Sequence, residues 1–217
     1  MTPSRLAVRV TRDAARQVRG GHPWVFDGSV VSVKPDGAPG DLAVIFDDRR
    51  KFMAIGLYDP ASPIRIKVLH AGSPTPIDDA FWIDRLTAAL ELRRRLVDDP
   101  TTTALRWVHG ENDGLPGLVL DSYGDTTVVK LYSAAWFAHL DAVVSAAQQV
   151  LVADRVVLRL ARNVAPDGAR ADATALVGEL PNRPVRFLER GLTFEADVVH
   201  GQKTGHFLDQ RDNRFRV

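Results

Sequence analysis

The chain has 217 residues, of which 45% are hydrophobic and 25% charged, with a formal net charge of +1 and no cysteine. It is long enough to bury a sizeable core, and no apolar run approaches the ~20 residues of a membrane-spanning helix. The N-terminus lacks the apolar stretch of a signal peptide, so we expect a cytoplasmic protein without membrane contact. The absence of cysteine excludes disulfides, thiolate metal sites and a cysteine nucleophile within these residues.

Positive charge is unevenly distributed along the chain. Residues 1–70 contain 11 Lys and Arg against 7 Asp and Glu, whereas the remaining residues contain 17 against 20. A basic segment fits a nucleic-acid contact surface, because phosphate groups attract Lys and Arg, although inert domains can carry the same small excess. We therefore look for a nucleic-acid interface in the front segment first.

Short alternating or wholly apolar runs predict strands in the first 70 residues, with one short helix near residues 13–18. Turn signals such as Pro39-Gly40-Asp41 separate the runs, and many short strands at this spacing favour a small barrel or sandwich. Residues 71–76 have the composition of a linker, so we place the first domain at 1–72. The predicted strands are residues 6–10, 30–33, 41–46, 52–58 and 64–68.

A helix is predicted over residues 81–97, where apolar residues recur at helical spacing. Asp78 and Asp79 suit the positive N-terminal end of this helix. Residues 93–95 are three arginines, but three successive residues point around a helix rather than along one side, so we interpret them as a solvated face. Residues 73–100 are assigned to a linker helix.

Residues 101–199 are predicted to form a central domain. A helix over 136–151 carries an apolar stripe, which is typical of a helix packed on a sheet. The stretch 162–181, rich in Ala, Asp, Gly and Asn, is interpreted as a loop, and a hairpin is predicted around Glu189-Arg190-Gly191. The fold class is therefore α+β: a small β-barrel followed by a strand-strand-helix-strand-strand α/β sandwich with extra pairing at its front. Strands of the central domain are predicted at 105–108, 117–121, 126–132, 155–160 and on both sides of the hairpin turn.

Three stretches resemble one protein family. The first is Gly21-His22-Pro23-Trp24-Val25-Phe26 with residues 55–64, the second is residues 111–125, and the third is residues 201–214. In this order they resemble the N-terminal PUA domain, the opening of the central domain, and the segment leading into the methyltransferase domain of one family. That family is the bacterial class I S-adenosylmethionine-dependent rRNA (cytosine-C5) large-subunit methyltransferases with a PUA domain. The second and third motifs are long and occur in the family's order, which argues against a chance match.

The resemblance implies a PUA-type RNA-binding domain at 1–72, a central domain at 101–199 and, at 200–217, the start of the segment leading into a Rossmann-like methyltransferase domain. That domain needs several βαβ units of ~30 residues or more, for which these residues leave no room. We therefore expect a fragment: the RNA-recognition part of a 23S rRNA cytosine-C5 methyltransferase, without the catalytic domain. S-adenosylmethionine is expected as cofactor of the full-length enzyme, with none bound to this chain.

The chemistry of the expected reaction gives an independent reason to place it elsewhere. Cytosine C5 is not nucleophilic enough to accept a methyl group until a thiolate has added to C6, and this activation requires a cysteine. The chain has no cysteine. We therefore expect no catalytic residue and no methyl transfer by these residues alone. The alternative function is a stand-alone PUA-type RNA-binding adaptor without enzymatic activity.

Arginines of the front segment are the candidate RNA-binding residues, because arginine pairs with phosphate and glycine lets a phosphate approach the backbone. The alternative is that the arginines form a solvated face and that Trp24 and Phe26 belong to the core rather than to a base-stacking platform. The candidates are Arg5, Arg9, Arg12, Arg16, Arg19, Gly21 and His22.

The terminal segment supplies the candidate cofactor-binding residues. By resemblance it would flank the S-adenosylmethionine pocket, with Phe207 packing nearby. The alternative is that Asp209 and Arg211 only tie a domain interface together through charge-assisted hydrogen bonds. The residues assigned to the edge of the cofactor site are Lys203, Phe207, Asp209, Gln210 and Arg211.

Other polar residues are given structural roles. Glu111, Asp113 and Asp121 suggest paired carboxylates, but they lie among turn residues and are interpreted as turn chemistry first. Ribosomal RNA is the expected partner, and the family leads us to expect a homodimer. No metal is expected, because no short-spaced pair occurs among His22, His109, His200 and His206.

Overall fold

Six strands and one helix form the N-terminal part of the molecule. The computed structural model describes residues 3–47, 49–151, 153–168 and 170–216. The strand order is β2-β6-β5-β4-β1-β3, and β1 and β4 are parallel while the other neighbours are antiparallel. The strands are β1 Arg5–Val10, β2 Trp24–Phe26, β3 Val30–Lys34, β4 Leu42–Phe46, β5 Phe52–Tyr58 and β6 Ile64–Ala71.

The five strands predicted from apolar patterning are confirmed, and β2 was missed because three residues are too short to show alternation. Helix α1, Arg12–Arg19, confirms the predicted short helix. The Thr11 hydroxyl caps it by accepting a hydrogen bond from the Ala14 amide at 3.3 Å. Ala14, Ala15 and Val18 face the sheet and are buried, so the arginines of α1 point to solvent.

The predicted helix over residues 81–97 is not continuous. Helix α2, Asp79–Leu92, begins at the capping residue Asp78, and the short helix α3, Arg94–Val97, follows after a break at Arg93. The guanidinium of Arg93 donates to the Ala89 carbonyl and forks onto Asp113 at 2.8 and 3.0 Å. The break between α2 and α3 thus coincides with a contact between residues twenty positions apart, which pattern alone does not reveal.

A second sheet and one helix form the central part. The strand order is β11-β10-β9-β8-β7, in which β9 and β10 are parallel and connected through α4, Leu140–Leu151. The helix begins at Leu140 rather than at the predicted residue 136, because residues 134–139 form a 3-10 helix before α4. The strands are β7 Ala104–His109, β8 Leu118–Tyr123, β9 Thr126–Leu131, β10 Arg155–Leu160 and β11 Thr174–Val177.

Two features differ from the predicted strand-strand-helix-strand-strand layout. The three strands predicted before the helix are present as β7, β8 and β9, but β11 lies inside residues 162–181, which were predicted to be a loop. All four residues of β11 are half-buried, so its apolar pattern is weak. The predicted hairpin is confirmed as β12, Val185–Glu189, and β13, Leu192–Ala196, but it forms a separate two-stranded sheet.

The N-terminal and central parts share a hydrophobic core. Leu42 and Leu57 of the first sheet belong to the same buried cluster as Trp82 of α2 and Trp136, and the two indole rings lie 5.7 Å apart. Burial of apolar surface is the main source of stability for such a contact. The two parts therefore pack as neighbours in one continuous core.

Polar contacts accompany this shared core. Trp24 Nε1 donates to Glu111 at 2.9 Å, and the Ser133 hydroxyl donates to Asp59 at 2.5 Å. Asp59 also lies 3.5 Å from Lys67, and both side chains are almost fully buried. Burial lowers the pKa of Lys67, while the neighbouring Asp59 opposes that shift. These bonds fix how the first sheet sits against the central part.

Candidate functional site

Strand β1 presents its two arginines on one face. Leu6, Val8 and Val10 are buried, whereas Arg5, Ala7 and Arg9 alternate with them and are exposed. Side chains along a strand alternate between the two faces of a sheet, so Arg5 and Arg9 lie on the same solvent-facing side.

The arginines of α1 are exposed but differ in their partners. Arg16 forms an ion pair with Asp13 one turn earlier, and Arg19 lies 3.5 Å from Asp47. Arg12 occupies the first position of the helix. Exposed ion pairs of this kind are weak, so a phosphate group can compete for Arg16 and Arg19.

The turn after α1 is open to a ligand at its glycine. Gly21 has a positive φ of 89°, and beyond the adjacent residues no atom of the described chain lies within 4 Å of the place that a Cβ would occupy. The ring of His22 is half-buried, and its Nδ1 accepts from the Trp24 amide at 3.2 Å. Trp24 is half-buried and bonded to Glu111, which supports a structural role, whereas Phe26 is 44% exposed.

The structure adds three cations to the front surface that were not predicted. Arg49, Arg50 and Lys51 lie in the turn between β4 and β5, and all are exposed. The Asp47 carboxylate accepts from the amides of Arg49 and Lys51, both at 2.9 Å. The Lys51 amide lowers the pKa of Asp47. The charge run was visible in the sequence, but its place beside β1 depends on the β1–β4 pairing.

Buried polar side chains of the central sheet hold the terminal segment in place. The Thr204 hydroxyl donates to Asp121 at 2.6 Å, and the Tyr123 hydroxyl lies 2.9 Å from Thr204 Oγ1. Lys130 Nζ donates to the Lys203 carbonyl at 2.7 Å. Arg159 adds bonds to the carbonyls of residues 198 and 201. Residues 198–206 therefore lie against the sheet as a fixed segment.

Asp121 is the centre of this network. Its side chain is fully buried, and it accepts two bonds from Arg106 at 2.7 and 2.9 Å in addition to the bond from Thr204. The hydrogen bond from Arg106 to Asp121 raises the pKa of Arg106, and burial raises the pKa of Tyr123. Asp121 lies within β8, where a strand over 117–121 was predicted, and its structural role is to anchor a distant segment rather than to form a turn.

The predicted cofactor-edge residues lie together but are not equivalent. Lys203 Nζ lies over the Phe207 ring at 4.4 Å, and Asp209 and Gln210 are exposed. Within the described part of the chain, Arg211 Nε is buried without a hydrogen-bond partner. A cavity of about 170 Å³ lies beside these groups, lined by Leu96, Ala104, Leu105, Arg106, His109, Leu208, Asp209 and Arg211.

Ion pairs connect the terminal segment to the hairpin, and they involve residues other than Asp209 and Arg211. Arg214 forks onto Glu189 at 2.6 and 2.8 Å, and Arg190 donates to Asp212 at 2.8 Å. Over the residues that the structure describes, the Asp209 carboxylate accepts a side-chain hydrogen bond from Gln210 at 3.3 Å. Arg214 and Asp212 thus join the terminal segment to the hairpin, and the domain-interface role considered for Asp209 and Arg211 stays a prediction.

Within the described residues, no three His, Asp or Glu side chains cluster in a way that could hold a metal ion. None of the helices in the described ranges combines the length and apolarity needed to cross a bilayer.

The N-terminal sheet is of the PUA-like class, since residues 8–71 match the PUA-like domain family. A ribosomal RNA large subunit methyltransferase of Deinococcus radiodurans is 49% identical over 220 residues, covering 98% of this chain and 54% of that protein. Ribosomal RNA large subunit methyltransferase I of Alteromonas mediterranea is 36% identical, covering 92% of this chain and 50% of that protein. The chain thus spans about half the length of the curated relatives it matches.

Solved structures share the fold. A Streptococcus mutans structure assigned as a SAM-dependent methyltransferase superposes with a TM-score of 0.80 at 18% identity, covering 97% of this chain and 53% of that one. A second structure, assigned as a methyltransferase and complexed with SAH, gives a TM-score of 0.76 at 19% identity, covering 97% of this chain and 52% of the other. At these identities the likeness establishes the fold alone.

Proposed function

We propose that this chain is the RNA-recognition part of a SAM-dependent 23S rRNA cytosine-C5 methyltransferase. In this assignment residues 1–72 bind RNA, and residues 73–100 are the linker helix between this domain and the central domain at 101–199. Residues 200–217 begin the segment leading into the methyltransferase domain. Ribosomal RNA is the partner, the cytoplasm is the location, and a homodimer is the expected assembly. One observation carries the assignment: 49% identity to a large-subunit rRNA methyltransferase over 98% of this chain.

The front surface supports RNA as the ligand. Arg5 and Arg9 extend from the exposed face of β1, Arg12 begins α1, and Arg49 and Arg50 lie in the adjacent turn. Phosphate contacts by arginine supply much of the affinity of RNA-binding proteins, and an exposed turn with an open glycine lets the backbone approach. The PUA-like match over residues 8–71 covers all of these arginines except Arg5.

The described residues do not form a complete S-adenosylmethionine site. The cavity beside Asp209 and Arg211 measures about 170 Å³, below the ~300–1,000 Å³ of pockets for drug-sized ligands. Within the described ranges, no strand leads into an α-helix through a glycine-rich turn of the kind that holds such cofactors. We therefore propose that Lys203, Phe207, Asp209, Gln210 and Arg211 supply only one edge of a cofactor site.

Methyl transfer by this chain alone is not expected. Methylation of cytosine C5 needs a thiolate that adds to C6, and none of the 217 residues is cysteine. A direct test incubates purified chain with labelled S-adenosylmethionine and 23S rRNA. We expect label in RNA no higher than in a protein-free control, and transfer by homogeneous chain would contradict the assignment.

Binding to fragments of 23S rRNA tests the recognition role. Fluorescence anisotropy at low salt should detect binding by the wild-type chain. Changing Arg5, Arg9 and Arg12 together to Ala should weaken it tenfold or more, because three phosphate contacts are lost. The matched control changes Arg94, Arg162 and Arg183, three exposed arginines of the rest of the chain, to Ala. If both triple variants weaken RNA binding equally, the RNA does not bind at the front surface.

A further inference from the structure

A groove lies on the outer face of the N-terminal sheet, between β1 and the turn that follows β4. Its volume is about 470 Å³, and its lining is Ala7, Arg9, Phe46, Asp47 and Arg50. It combines an apolar floor with cations at its edges, and that size suits a small planar group. Neither Phe46 nor Arg50 was singled out from the sequence.

The β1–β4 pairing creates the floor of this groove. Arg9 is the register partner of Phe46, and Ala7 is the partner of Val44, in the parallel ladder. Register partners point to the same face of a sheet, so the Phe46 ring lies beside Arg9 on the solvent side. Phe46 is half-buried and belongs to none of the hydrophobic clusters formed by the described residues. An aromatic ring in this position is available for stacking.

The charges of the groove favour an anion. Asp47 accepts from two backbone amides and lies 3.5 Å from Arg19, so its negative charge is already compensated. Over the residues that the structure describes, the side chains of Arg9 and Arg50 form no hydrogen bond, ion pair or ring contact. Two unpaired guanidinium groups beside an aromatic ring match a base flanked by phosphates.

The backbone of Arg50 gives an additional argument. Its φ is +60°, a conformation that L side chains adopt rarely and glycine adopts freely. Residues held in this region cluster at ligand-binding sites, where a side chain has to be presented at a cost in stability. A glycine at this position would relieve the backbone and remove only the cation.

We propose that this groove binds one unpaired nucleotide of RNA, with the base stacked on Phe46 and the neighbouring phosphates held by Arg9 and Arg50. The assignment rests on the proposed function, in which the chain binds RNA. It adds a requirement for single-stranded RNA, because a base inside a duplex cannot reach a ring on the protein surface.

The test measures binding to a labelled single-stranded RNA and to a duplex RNA of equal length. Phe46→Leu should weaken single-strand binding about tenfold and leave duplex binding unchanged, since leucine fills space but does not stack. Arg50→Gly should weaken single-strand binding and reduce the salt slope by about 0.7, without lowering the melting temperature. The matched controls are Phe215→Leu and Arg162→Ala, an exposed aromatic and an exposed arginine elsewhere, and should stay within twofold of wild type.

Each outcome separates the groove from the wider function. If the wild-type chain binds single-stranded RNA and both F46L and R50G bind it within twofold of wild type, the groove proposal is overturned and the proposed function stands. If the wild-type chain binds no RNA at low salt, both the groove proposal and the proposed function are overturned. Competition by a free mononucleotide as strong as by the RNA strand overturns the assignment to RNA, because the flanking phosphates would then add nothing.

Discussion

Gly40 lies where the N-terminal sheet meets the central part, and it tolerates no side chain. Its φ is +91°, and a Cβ would lie 2.5 Å from the Ala138 side chain and 2.8 Å from the Ala135 carbonyl. Gly40→Ala should therefore lower the free energy of unfolding by several kcal/mol, of which about 1–2 kcal/mol is backbone strain. Urea denaturation measures this loss.

Gly21 is the matched control for that substitution. Its φ of +89° is nearly the same, but beyond the adjacent residues no atom of the described chain lies within 4 Å of an added Cβ. Gly21→Ala should cost only the backbone strain of about 1–2 kcal/mol. Equal losses in the two variants would show that close packing at Gly40 is unimportant for stability.

His139 makes the same contact sensitive to pH. The ring is buried, its Nε2 donates to the Gly40 carbonyl at 2.8 Å, and burial lowers its pKa from the ordinary 6.5. The unfolded chain therefore takes up a proton below about pH 6.5 that the folded chain refuses. Stability should be complete above that pH and should fall as the pH drops toward the lowered pKa.

His139→Gln tests this dependence, because glutamine can donate to the same carbonyl without titrating. Between about pH 8 and pH 5, wild type should lose more unfolding free energy than the variant. His206, whose pKa burial also lowers, contributes equally to both proteins and cancels in the comparison. Parallel curves for the two proteins would mean that His139 does not stay neutral in the folded chain.

Among the secondary-structure elements, the terminal segment depends most on buried polar contacts. Thr204 bonds both Asp121 and Tyr123, and all three side chains are buried. Thr204→Val keeps the shape but leaves two buried polar groups short of a partner. Hydrogen exchange of residues 200–206 should then report an opening free energy about 1–3 kcal/mol lower.

Thr193→Val is the control for that change. Thr193 is an exposed residue of β13 and has no side-chain hydrogen bond in the described part of the chain. Its replacement should leave exchange of the terminal segment unchanged. A similar loss of protection in both variants would show that the network around Asp121 does not hold the segment.

Strands with clear alternation were predictable, and long-range contacts were not. The β1 pattern and the hairpin were visible because each buries one face. β11 was missed because its residues are only half-buried, and the break at Arg93 was missed although its side chain contacts Asp113 there. Local pattern carries no information about partners twenty residues away.

For the molecule as a whole, the sequence predicted the composition of the candidate sites better than their geometry. The front arginines were named from charge and resemblance, but the turn of Arg49 and Arg50 joins them only through the parallel β1–β4 ladder. Likewise, the role of Asp121 appears only when residues 121 and 204 are brought together. Such pairings require the folded chain, because they join residues far apart in sequence.

The salt dependence of RNA binding tests the central claim most directly. Plotted as log affinity against log salt, wild-type binding to a 23S rRNA fragment should have a clear negative slope. The slope of the triple variant with Arg5, Arg9 and Arg12 changed to Ala should be smaller by about two, since each single-strand phosphate contact contributes roughly 0.7. Absence of wild-type binding at low salt, or equal slopes for the two proteins, would contradict RNA recognition by this surface.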